Sequence, residues 1–563
     1  MLAFALIAAA IYLLSFFIYG RWLSKIFALS SEPTTPAHRL SDGQDYVPTR
    51  PAILLSQHFA AIAAVGPIAG PILAGAKYGW LPGALWITLG AVFIGAVHDF
   101  SCLVASVRHD ARSIGDVIKI YVGRNASILF SLFIWLNLIY VIVVFTDLTA
   151  SAFVNRPEFG SQNFGPGVAT SSLLYLGLAV LMGFALNRWK WSLKRTTTLF
   201  VLALFVVIWL GQKIPITFSG DALSQQKAWD SVILIYCFAA SVIPLWVLLQ
   251  PRGYLGGFIL YTTFAAGVLG LAFGKFSTQF PLWNGSTNSS PTPLFPLLFT
   301  TIACGACSGF HGLVSSGTTS KQLDRETDAR TVGYGGMLLE GFVAVIALST
   351  LMLQAPGSPE LSLGPDEIYA RGLAHFMSVF GIPFAAGVTF GKLAFATFIY
   401  DTLDVTTRLG RYILQELLGL PGKRGAFMAT GLTLAVPAIA LWMTFTDPAG
   451  KIQPMWKVFW PAFGASNQLL AALSLAGITV WLRHTGRNWW VTGIPAAFMT
   501  VVTLSSLAII VRQTLSAGRW LDPVGTTAIL LLILALIILF QTASAALRRP
   551  PAADGILYTD EQD

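Results

Sequence analysis

Charged residues are scarce in this chain, and their scarcity excludes an ordinary soluble protein. Asp, Glu, Lys and Arg make up 11% of the 563 residues, and hydrophobic residues make up 55%. About a quarter of a typical soluble globular sequence is charged. The composition therefore predicts an integral membrane protein.

Other features that the sequence lacks restrict the possible classes of function. The GxxxxGK[ST] pattern of an ATP-binding loop does not occur in the sequence, which favours a secondary transporter over a pump. No segment is long enough to form the soluble output domain of a receptor. Only four cysteines are present, and Cys102, Cys237, Cys304 and Cys307 all fall in or at the ends of apolar runs. None of them is placed like an extracellular disulfide framework.

Apolar runs of bilayer length recur along the chain and predict an all-α fold with about fifteen transmembrane helices. The predicted spans are residues 2–20, 52–76, 80–107, 126–154, 168–187, 196–213, 229–250, 254–274, 293–316, 332–355, 373–399, 425–446, 457–482, 490–512 and 524–547. With the N-terminus outside, the inner loops hold 24 of the 35 Lys and Arg residues and the outer loops hold ten. Because basic residues concentrate in cytoplasmic loops, we expect an inner-membrane protein with a cytoplasmic C-terminus. The net charge of +9 then reflects topology, so no nucleic-acid partner is expected.

The span that contains GPIAGP is predicted to be broken near the middle of the membrane. Pro67 and Pro71 lack an N–H group, and Gly66 and Gly70 permit unwinding of the helix. Freed carbonyls at membrane depth are tolerated beside a cavity, where they suit ions and anionic substrates. The alternative is a kinked helix that serves packing alone.

A second break is predicted at Pro244, with Ser241 one turn before it. This span follows the GPIAGP span by five, so the two cross in opposite directions. An inverted 5+5 repeat of the leucine-transporter (LeuT) type requires that relation. The predicted regions are an N-terminal helix and linker at 1–50, a transporter core at 51–400 with repeats at about 51–215 and 229–400, C-terminal helices at 401–548 and a cytoplasmic tail at 549–563.

A polar stripe runs through the apolar segment 295–322, whose sequence is FPLLFTTIACGACSGFHGLVSSGTTSKQ. If this segment is one helix, spacings of four, three, four and three residues align one polar face. The residues on that face are Cys304, Ser308, His311, Ser315 and Thr318. Lipid cannot solvate such a face, so we expect it to line a transport pathway.

His311 in mid-span titrates near neutral pH and is a candidate for proton exchange, the alternative being a neutral histidine bonded between helices. Cys304, Cys307 and His311 are also a conceivable soft-metal set, but a fourth ligand is missing nearby. Small residues at helix contacts are the usual reason for cysteine in a membrane span. We therefore expect neither a metal nor another cofactor.

Three further titratable positions are embedded in apolar sequence. His98 and Asp99 form either an embedded proton relay or an interfacial pair held by Arg108 or Arg112. Glu340 lies about eight residues into its span and is protonated, functional in proton coupling, or paired with Arg330 or Lys321.

Lys392 lies in the apolar middle of its predicted span, and its ammonium needs a carboxylate partner there, either Glu340 or a bound carboxylate substrate. Asp401, Asp404 and Arg408 are expected to form a solvated inner face because they are spaced three and four apart. Ser466, Asn467 and Gln468 are expected to join helices by hydrogen bonds.

Together these segments resemble the carbon starvation protein A family of membrane transporters. The matching stretches are GPIAGP, HDF followed by SIGDVI, LQPRGYL, FPLLFTTIACGACSGFHGLVSSGTTSKQL, FATFIYDTLDVTTRLGRYILQEL and FWPAFGASNQLLAA. They cover most of the region from about residue 50 to 480. The resemblance implies a proton-linked inner-membrane importer of peptides or pyruvate that is used in nutrient stress, with a LeuT-like core.

We therefore predict a secondary-active importer of peptides or small carboxylates such as pyruvate, and not an enzyme. The coupling ion is expected to be H⁺, with Na⁺ as the alternative, and the expected partners are the substrate and membrane lipid. The predicted substrate and ion site comprises Gly66, Pro67, Gly70, Ser241, Ser308, His311, Ser315, Ser316, Thr318 and Lys392, with His98, Asp99 and Glu340 as proton-coupling candidates. The alternative function is a membrane-embedded enzyme or nutrient sensor that uses the polar clusters at His98, Asp99 and His311.

Overall fold

A computed structural model describes residues 1–32, 34–42, 46–155, 163–244, 246–284, 293–362, 364–446, 452–516, 518 and 523–548. Across these residues the protein is built of helices joined by short connections. The one strand pair there joins β1 (Phe445–Thr446) to β2 (Ile452–Gln453) in antiparallel register. The predicted all-α class is confirmed. The predicted tail at 549–563 lies outside the described residues.

The helices alternate between long membrane-length segments and short pieces. The first half contains α1 (Leu2–Phe17), α2 (Tyr19–Ile26), α3 (Pro36–Arg39), α4 (Pro51–Ile62), α5 (Gly66–Tyr78), α6 (Trp80–Gly90), α7 (Ala96–Arg108), α8 (Ile114–Tyr121), α9 (Arg124–Phe153), α10 (Gly165–Asn187), α11 (Leu193–Lys213), α12 (Ala222–Val242) and α13 (Leu249–Phe273). The second half contains α14 (Leu294–Thr301), α15 (Gly309–Val314), α16 (Gly335–Met352), α17 (Pro365–Ser378), α18 (Phe384–Leu418), α19 (Gly422–Trp442), α20 (Met455–His484), α21 (Trp490–Ser516) and α22 (Pro523–Leu547).

Eleven helical segments of the described chain are long and apolar enough to cross a membrane, and the bent pair α4–α5 makes a twelfth. The protein is therefore a multi-pass membrane protein. The other three predicted spans correspond to α12, to the pair α14–α15 and to the pair α17–α18. These segments carry charged residues or are divided into shorter helices. The count of fifteen stays a prediction.

The bundle has an inner and an outer layer. The most apolar windows of Trp80–Arg108 and Met455–His484 are each 89% buried, whereas those of Leu2–Ile26 and Leu193–Lys213 are each 17% buried. Apolar side chains that remain exposed on the last two segments are suited to contact with lipid. The polar side chains of interest lie on the inner layer.

The predicted break in the first core span is confirmed, although its position differs from the prediction. Helix α4 ends at Ile62, α5 begins at Gly66, and the two meet at 48°. The expectation that GPIAGP itself is non-helical is wrong. Pro67 occupies the first turn of α5, where a helix needs no N–H donor, and Pro71 is accommodated inside the helix.

A second broken span lies at 293–316, where the sequence had predicted one continuous helix. Helix α14 ends at Thr301, residues 302–308 are non-helical, and α15 begins at Gly309. The predicted polar face is therefore wrong for Cys304 and Ser308, because both belong to the break.

Pro244 does not interrupt a helix. It lies in the connection between α12, which ends at Val242, and α13, which begins at Leu249. The prediction of a second break inside that span is wrong. In the predicted order of spans, the two observed breaks are seven apart instead of five.

Candidate functional site

Four buried titratable side chains form a row in which each contacts the next. His98 Nδ1 is 2.9 Å from Asp99 Oδ1, and His311 Nδ1 is 3.0 Å from Asp99 Oδ2. On its other side His311 Nε2 lies 3.3 Å from Glu340 Oε2. All four side chains are at most 1% exposed. We call His98, Asp99, His311 and Glu340 the acid–histidine row.

The row joins three helices, and each of them has a π-helical turn beside it. The turn Ala91–Gly95 precedes α7, Ser315–Thr319 follows α15, and Arg330–Tyr334 precedes α16. Such turns interrupt the regular hydrogen-bond ladder and change the direction in which the following side chains point; they are frequent at functional sites. The row therefore combines a polar interior with locally irregular backbone.

Several atoms of the row lack a hydrogen-bond partner among the described residues. They are His98 Nε2, His311 Nε2 and both carboxylate oxygens of Glu340. The contact between His311 and Glu340 has the distance of an ion pair without hydrogen-bond geometry. Two carboxylates and two neutral imidazoles carry a net charge of −2, so the row is neutral only when it binds two more protons. It therefore has the composition of a proton-exchange site.

His98 is confined by a glycine. Its Nε2 points toward Gly312, where an added Cβ would lie 2.9 Å from that nitrogen. Glycine at this position of α15 allows the imidazole to approach the backbone. The predicted alternative, in which Arg108 holds the His98–Asp99 pair, is wrong because Arg108 Nε bonds Glu326 Oε1 at 2.5 Å.

The partners predicted for Glu340 are also wrong. Arg330 lies over the ring of Phe16 and Lys321 lies over the ring of Tyr46, whereas Glu340 faces His311. Glu340 lies on α16 and is fully buried. The carboxylate is therefore a member of the row.

Asn467 of α20 holds the second break in place. Its Oδ1 accepts from the Phe310 backbone N–H at 3.0 Å, and its Nδ2 donates to Ser308 Oγ at 2.9 Å. The first N–H groups of a helix have no partner within the helix, so this amide caps α15 from another part of the chain. The expectation that Asn467 joins helices is confirmed, but the sequence did not indicate that it caps a broken span.

The carbonyls released at the end of α14 are occupied by side-chain donors. Trp86 Nε1 donates to the carbonyls of Phe299 and Ile302 at 3.2 and 3.1 Å. Gln468 Nε2 donates to the same two oxygens at 2.8 and 3.3 Å. These donors replace the missing helical bonds, so the two carbonyls are satisfied without an ion.

The two broken spans meet through glycines. A Cβ on Gly66 would overlap Cys304 Sγ, and a Cβ on Gly70 would lie 2.8 Å from the carbonyl oxygen of Thr301. Pro67 Cα lies 3.5 Å from the position a Cβ would take on Gly305. The two broken spans therefore face each other. In this conformation the contact is close backbone packing.

His58 was missed by the sequence reasoning. It lies on α4, is 1% exposed, and places Nδ1 2.9 Å from Thr319 Oγ1 on the π-turn after α15. Its Nε2 has no partner among the described residues. The signal that could have identified His58 from the sequence is its position as a titratable residue inside the apolar run that precedes GPIAGP.

The polar residues after His311 differ from one another in their surroundings. Ser315 is buried and its Oγ has no partner in the described part of the chain. Ser316 Oγ donates to the Gly312 carbonyl at 2.7 Å. Thr318 is exposed and donates to the Val314 carbonyl at 3.0 Å. The π-turn changes the register, so these three side chains do not share one face.

Lys392 does not contact Glu340, and that predicted pairing is wrong. Its ammonium pairs with Glu367 and lies 3.9 Å from Asp366 Oδ2. The reason is the hairpin of α17 and α18, in which a Cβ on Gly391 would lie 2.8 Å from Ala370 Cα. This close approach brings the acidic start of α17 beside Lys392.

Ser241 lies apart from the row. Its Oγ is 3.1 Å from Thr430 Oγ1, and its carbonyl accepts from Arg411 at 2.7 Å. The contacts belong to the packing of α12 against α18 and α19.

The predicted solvated face at Asp401 and Asp404 is wrong. Both aspartates are buried and pair with Arg252, at 2.5 and 2.8 Å respectively. Arg252 was not singled out from the sequence. Because LQPRGYL lies at the beginning of α13, its arginine reaches α18 only through the tertiary packing.

Metal-ligand geometry does not occur among the described residues, where no group of three or more His, Cys, Asp and Glu side chains is arranged to hold an ion. Cys304 and Cys307 are buried free thiols. Cys304 Sγ accepts from Asn467 Nδ2 at 3.5 Å.

The chain is similar to several membrane transporters. The family model described as "Carbon starvation protein CstA" matches residues 1–359 and 358–506. The peptide transporter CstA of Helicobacter pylori is 33% identical over 89% of this chain and 80% of its own length. The pyruvate/proton symporter BtsT of Escherichia coli is 31% identical over 89% of this chain and 80% of its own length. A solved manganese transporter of Eremococcus coleocola covers 90% of this chain and 99% of its own at 13% identity and a TM-score of 0.46, a likeness too low to carry an argument.

Proposed function

Because this chain belongs to the carbon starvation protein CstA family, we propose that it is a secondary-active, proton-coupled importer of peptides or small carboxylates such as pyruvate. One relative is named a peptide transporter and another a pyruvate/proton symporter, and both names support transport. The distribution of basic residues supports an inner-membrane location with the N-terminus outside. The two broken spans fall in the two predicted halves of the core, at 51–215 and 229–400.

The observation that carries the proposal is the acid–histidine row, which includes His311 of the second broken span. Asp99 on α7 contacts His311 on α15, and His311 faces Glu340 on α16. A buried row of this kind exchanges protons only when a cavity or water reaches it. Movement of a broken span supplies such access, since its halves are not bound by one continuous hydrogen-bond ladder.

Coupling follows from the position of His311 between two carboxylates. A proton added to Asp99 or Glu340 removes one negative charge from the row and weakens its attraction for His311. Helix α15 then separates more easily from α7. Proton binding and movement of the second broken span are linked in this way.

The substrate passes between the two broken spans in the conformation in which they separate. Gly66, Pro67 and Gly70 line one side, and Ser308 and Ser315 with His311 line the other. Ser316 and Thr318 extend the second side. Lys392 attracts a substrate carboxylate only in competition with Glu367, which neutralises it in this conformation. Ser241 contributes to packing at a distance from this path.

Uptake in proteoliposomes tests the proposal. Purified protein is supplied with labelled pyruvate or a mixture of small peptides, with the lumen more alkaline than the outside. Accumulation above the level without the gradient is expected for at least one substrate class, and His311→Gln should lose the effect of the gradient. Ser349→Ala is the matched control, since Ser349 on α16 donates only to its own helix at the Val345 carbonyl.

Counterflow in the same vesicles separates transport from the alternative functions. A membrane enzyme would convert the labelled compound, and a sensor would bind it without exchange. Failure of both substrate classes to accumulate or exchange would overturn the proposed function.

A further inference from the structure

A second buried acidic pair lies away from the row. Asp147 near the end of α9 and Asp230 near the beginning of α12 line one cavity of about 20 Å³. By the predicted topology this end of the bundle faces outside. The cavity shares no lining residue with the acid–histidine row. Its volume holds about one water-sized occupant, since a water needs about 10–15 Å³.

Asp147 is bound by donors on both of its oxygens. The backbone N–H of Trp456 donates to Oδ2 at 2.7 Å, and Gln226 Nε2 donates to Oδ1 at 2.6 Å. Hydrogen bonds from N–H groups suit an ionised carboxylate. Each oxygen of Asp147 thus already accepts from a donor of the protein.

Asp230 has the opposite environment. It is 1% exposed, and its Oδ1 has no partner among the described residues. The nearby ammonium of Lys227 donates to the carbonyls of Trp442 and Met443, at 2.6 and 3.3 Å, and these lie at the end of α19. A lysine that binds the C-terminus of a helix is already engaged by the negative end of the helix dipole.

The charges around the cavity do not balance. Among the described residues, its titratable lining residues are Asp147 from α9 and Lys227 and Asp230 from α12. The other described lining residues are uncharged, for example Leu441 at the end of α19, Met443 just after it and Met455 at the start of α20. Two carboxylates against one ammonium leave one negative charge, which is costly in a buried place without a cation.

We propose that Asp230 is a second proton-binding site, loaded from the outer side and distinct from the acid–histidine row. This inference rests on the proposed function, in which a proton is the coupling ion. A proton suits the cavity better than a metal ion, because hard cations take six or more oxygen ligands and the oxygens of Asp147 already accept from N–H donors. Binding adds one proton to a free carboxylate oxygen, and release returns it to the outside.

Infrared difference spectroscopy tests the site without requiring transport. The spectrum of the purified full chain minus that of Asp230→Asn should show the C=O stretch of a protonated carboxylic acid at neutral pH, with loss of the band on alkalinisation. Absence of the band at every pH would overturn the inference. A band that added Na⁺ removes at constant pH would assign the site to sodium and also overturn it.

Two further variants guard against misfolding. If Asp230→Asn is poorly folded, Asp230→Glu is measured in its place. This variant keeps the carboxylic acid, so its spectrum should contain the band at a shifted frequency. Ser231→Ala is the matched control on α12, because Ser231 donates only to the Lys227 carbonyl of its own helix. The band must persist in this control.

A transport measurement then addresses the role in coupling. In vesicles where the wild type accumulates substrate, Asp230→Asn should lose accumulation driven by the pH gradient, and Ser231→Ala should keep it. If Asp230→Asn accumulated substrate to the wild-type level, Asp230 would have no role in coupling. If the wild type itself fails to transport, the proposed function fails, whereas the infrared band still decides whether Asp230 carries a proton.

Discussion

His311 Nδ1 lies 3.0 Å from Asp99 Oδ2, and this contact fastens the second broken span to α7. The other nitrogen of the same ring faces Glu340 on α16. One side chain on a six-residue helix thereby connects to two longer helices. A movement of α15 away from α7 and α16 breaks both contacts, so in the proposed mechanism the charge of the row and the position of the span are coupled.

Asp99→Asn is expected to flatten the dependence of uptake on external pH. The amide keeps the shape of the side chain but cannot carry the negative charge that holds His311. A hydrogen bond to a charged group contributes about 1.5–3 kcal/mol, so we expect initial uptake to fall at least about tenfold. Initial rates measured over a series of external pH values check this.

The control for Asp99→Asn is Ser101→Ala on the same helix, since Ser101 Oγ donates to the His98 carbonyl and not to the row. It should leave the pH profile unchanged. If Asp99→Asn showed the wild-type dependence of uptake on external pH, the acid–histidine row would have no role in proton coupling.

Lys392→Met is expected to destabilise the protein, because it leaves a buried carboxylate at Glu367 with less compensation. Breaking a buried ion pair costs about 3–5 kcal/mol, and Arg371, 2.8 Å from Glu367, reduces that loss. Glu367→Gln added to Lys392→Met should restore part of the stability. Thermal melting in detergent measures each variant. If Glu340→Gln, rather than Glu367→Gln, restored the melting temperature of Lys392→Met, the pairing of Lys392 with Glu367 would be contradicted.

Gly66→Ala should weaken the joint between the two broken spans. The new methyl group would overlap Cys304, and overpacking of a close contact costs about 1–3 kcal/mol. Cys304→Gly in the same chain removes the clashing atoms and should recover most of the melting temperature. Gly177→Ala is the control, since a Cβ there meets nothing within 4 Å. A Gly66→Ala variant as stable as the wild type would show that the joint is loose.

Asn467→Ala should destabilise the N-terminus of α15, because the Phe310 N–H loses its acceptor inside the bundle. An unsatisfied buried donor costs about 1–3 kcal/mol. Asn467→Asp keeps the acceptor for Phe310 and should be less harmful than alanine. Hydrogen exchange of the 304–314 peptide measures the local effect. Equal exchange in the wild type and Asn467→Ala would argue against the capping role.

Embedded titratable residues were recognisable from the sequence because a charge inside an apolar run is exceptional. His98, Asp99, His311 and Glu340 were each identified in this way, and so was Lys392. Their pairing was not recognisable, since contacts such as His311 with Asp99 join residues more than two hundred positions apart. Glu367 and Arg252 became visible as partners only when α17, α13 and α18 were packed together.

The membrane class and the break in the first core span follow from local properties of the sequence. Apolar run length and the lack of an N–H group at Pro67 act within a few residues, so they are readable without a fold. The second break depends on distant groups, namely Asn467 at the start of α15 and Trp86 with Gln468 at the end of α14. A helix interior gives up its own hydrogen bonds in an apolar environment only when other donors and acceptors replace them, and those partners are supplied by the tertiary structure.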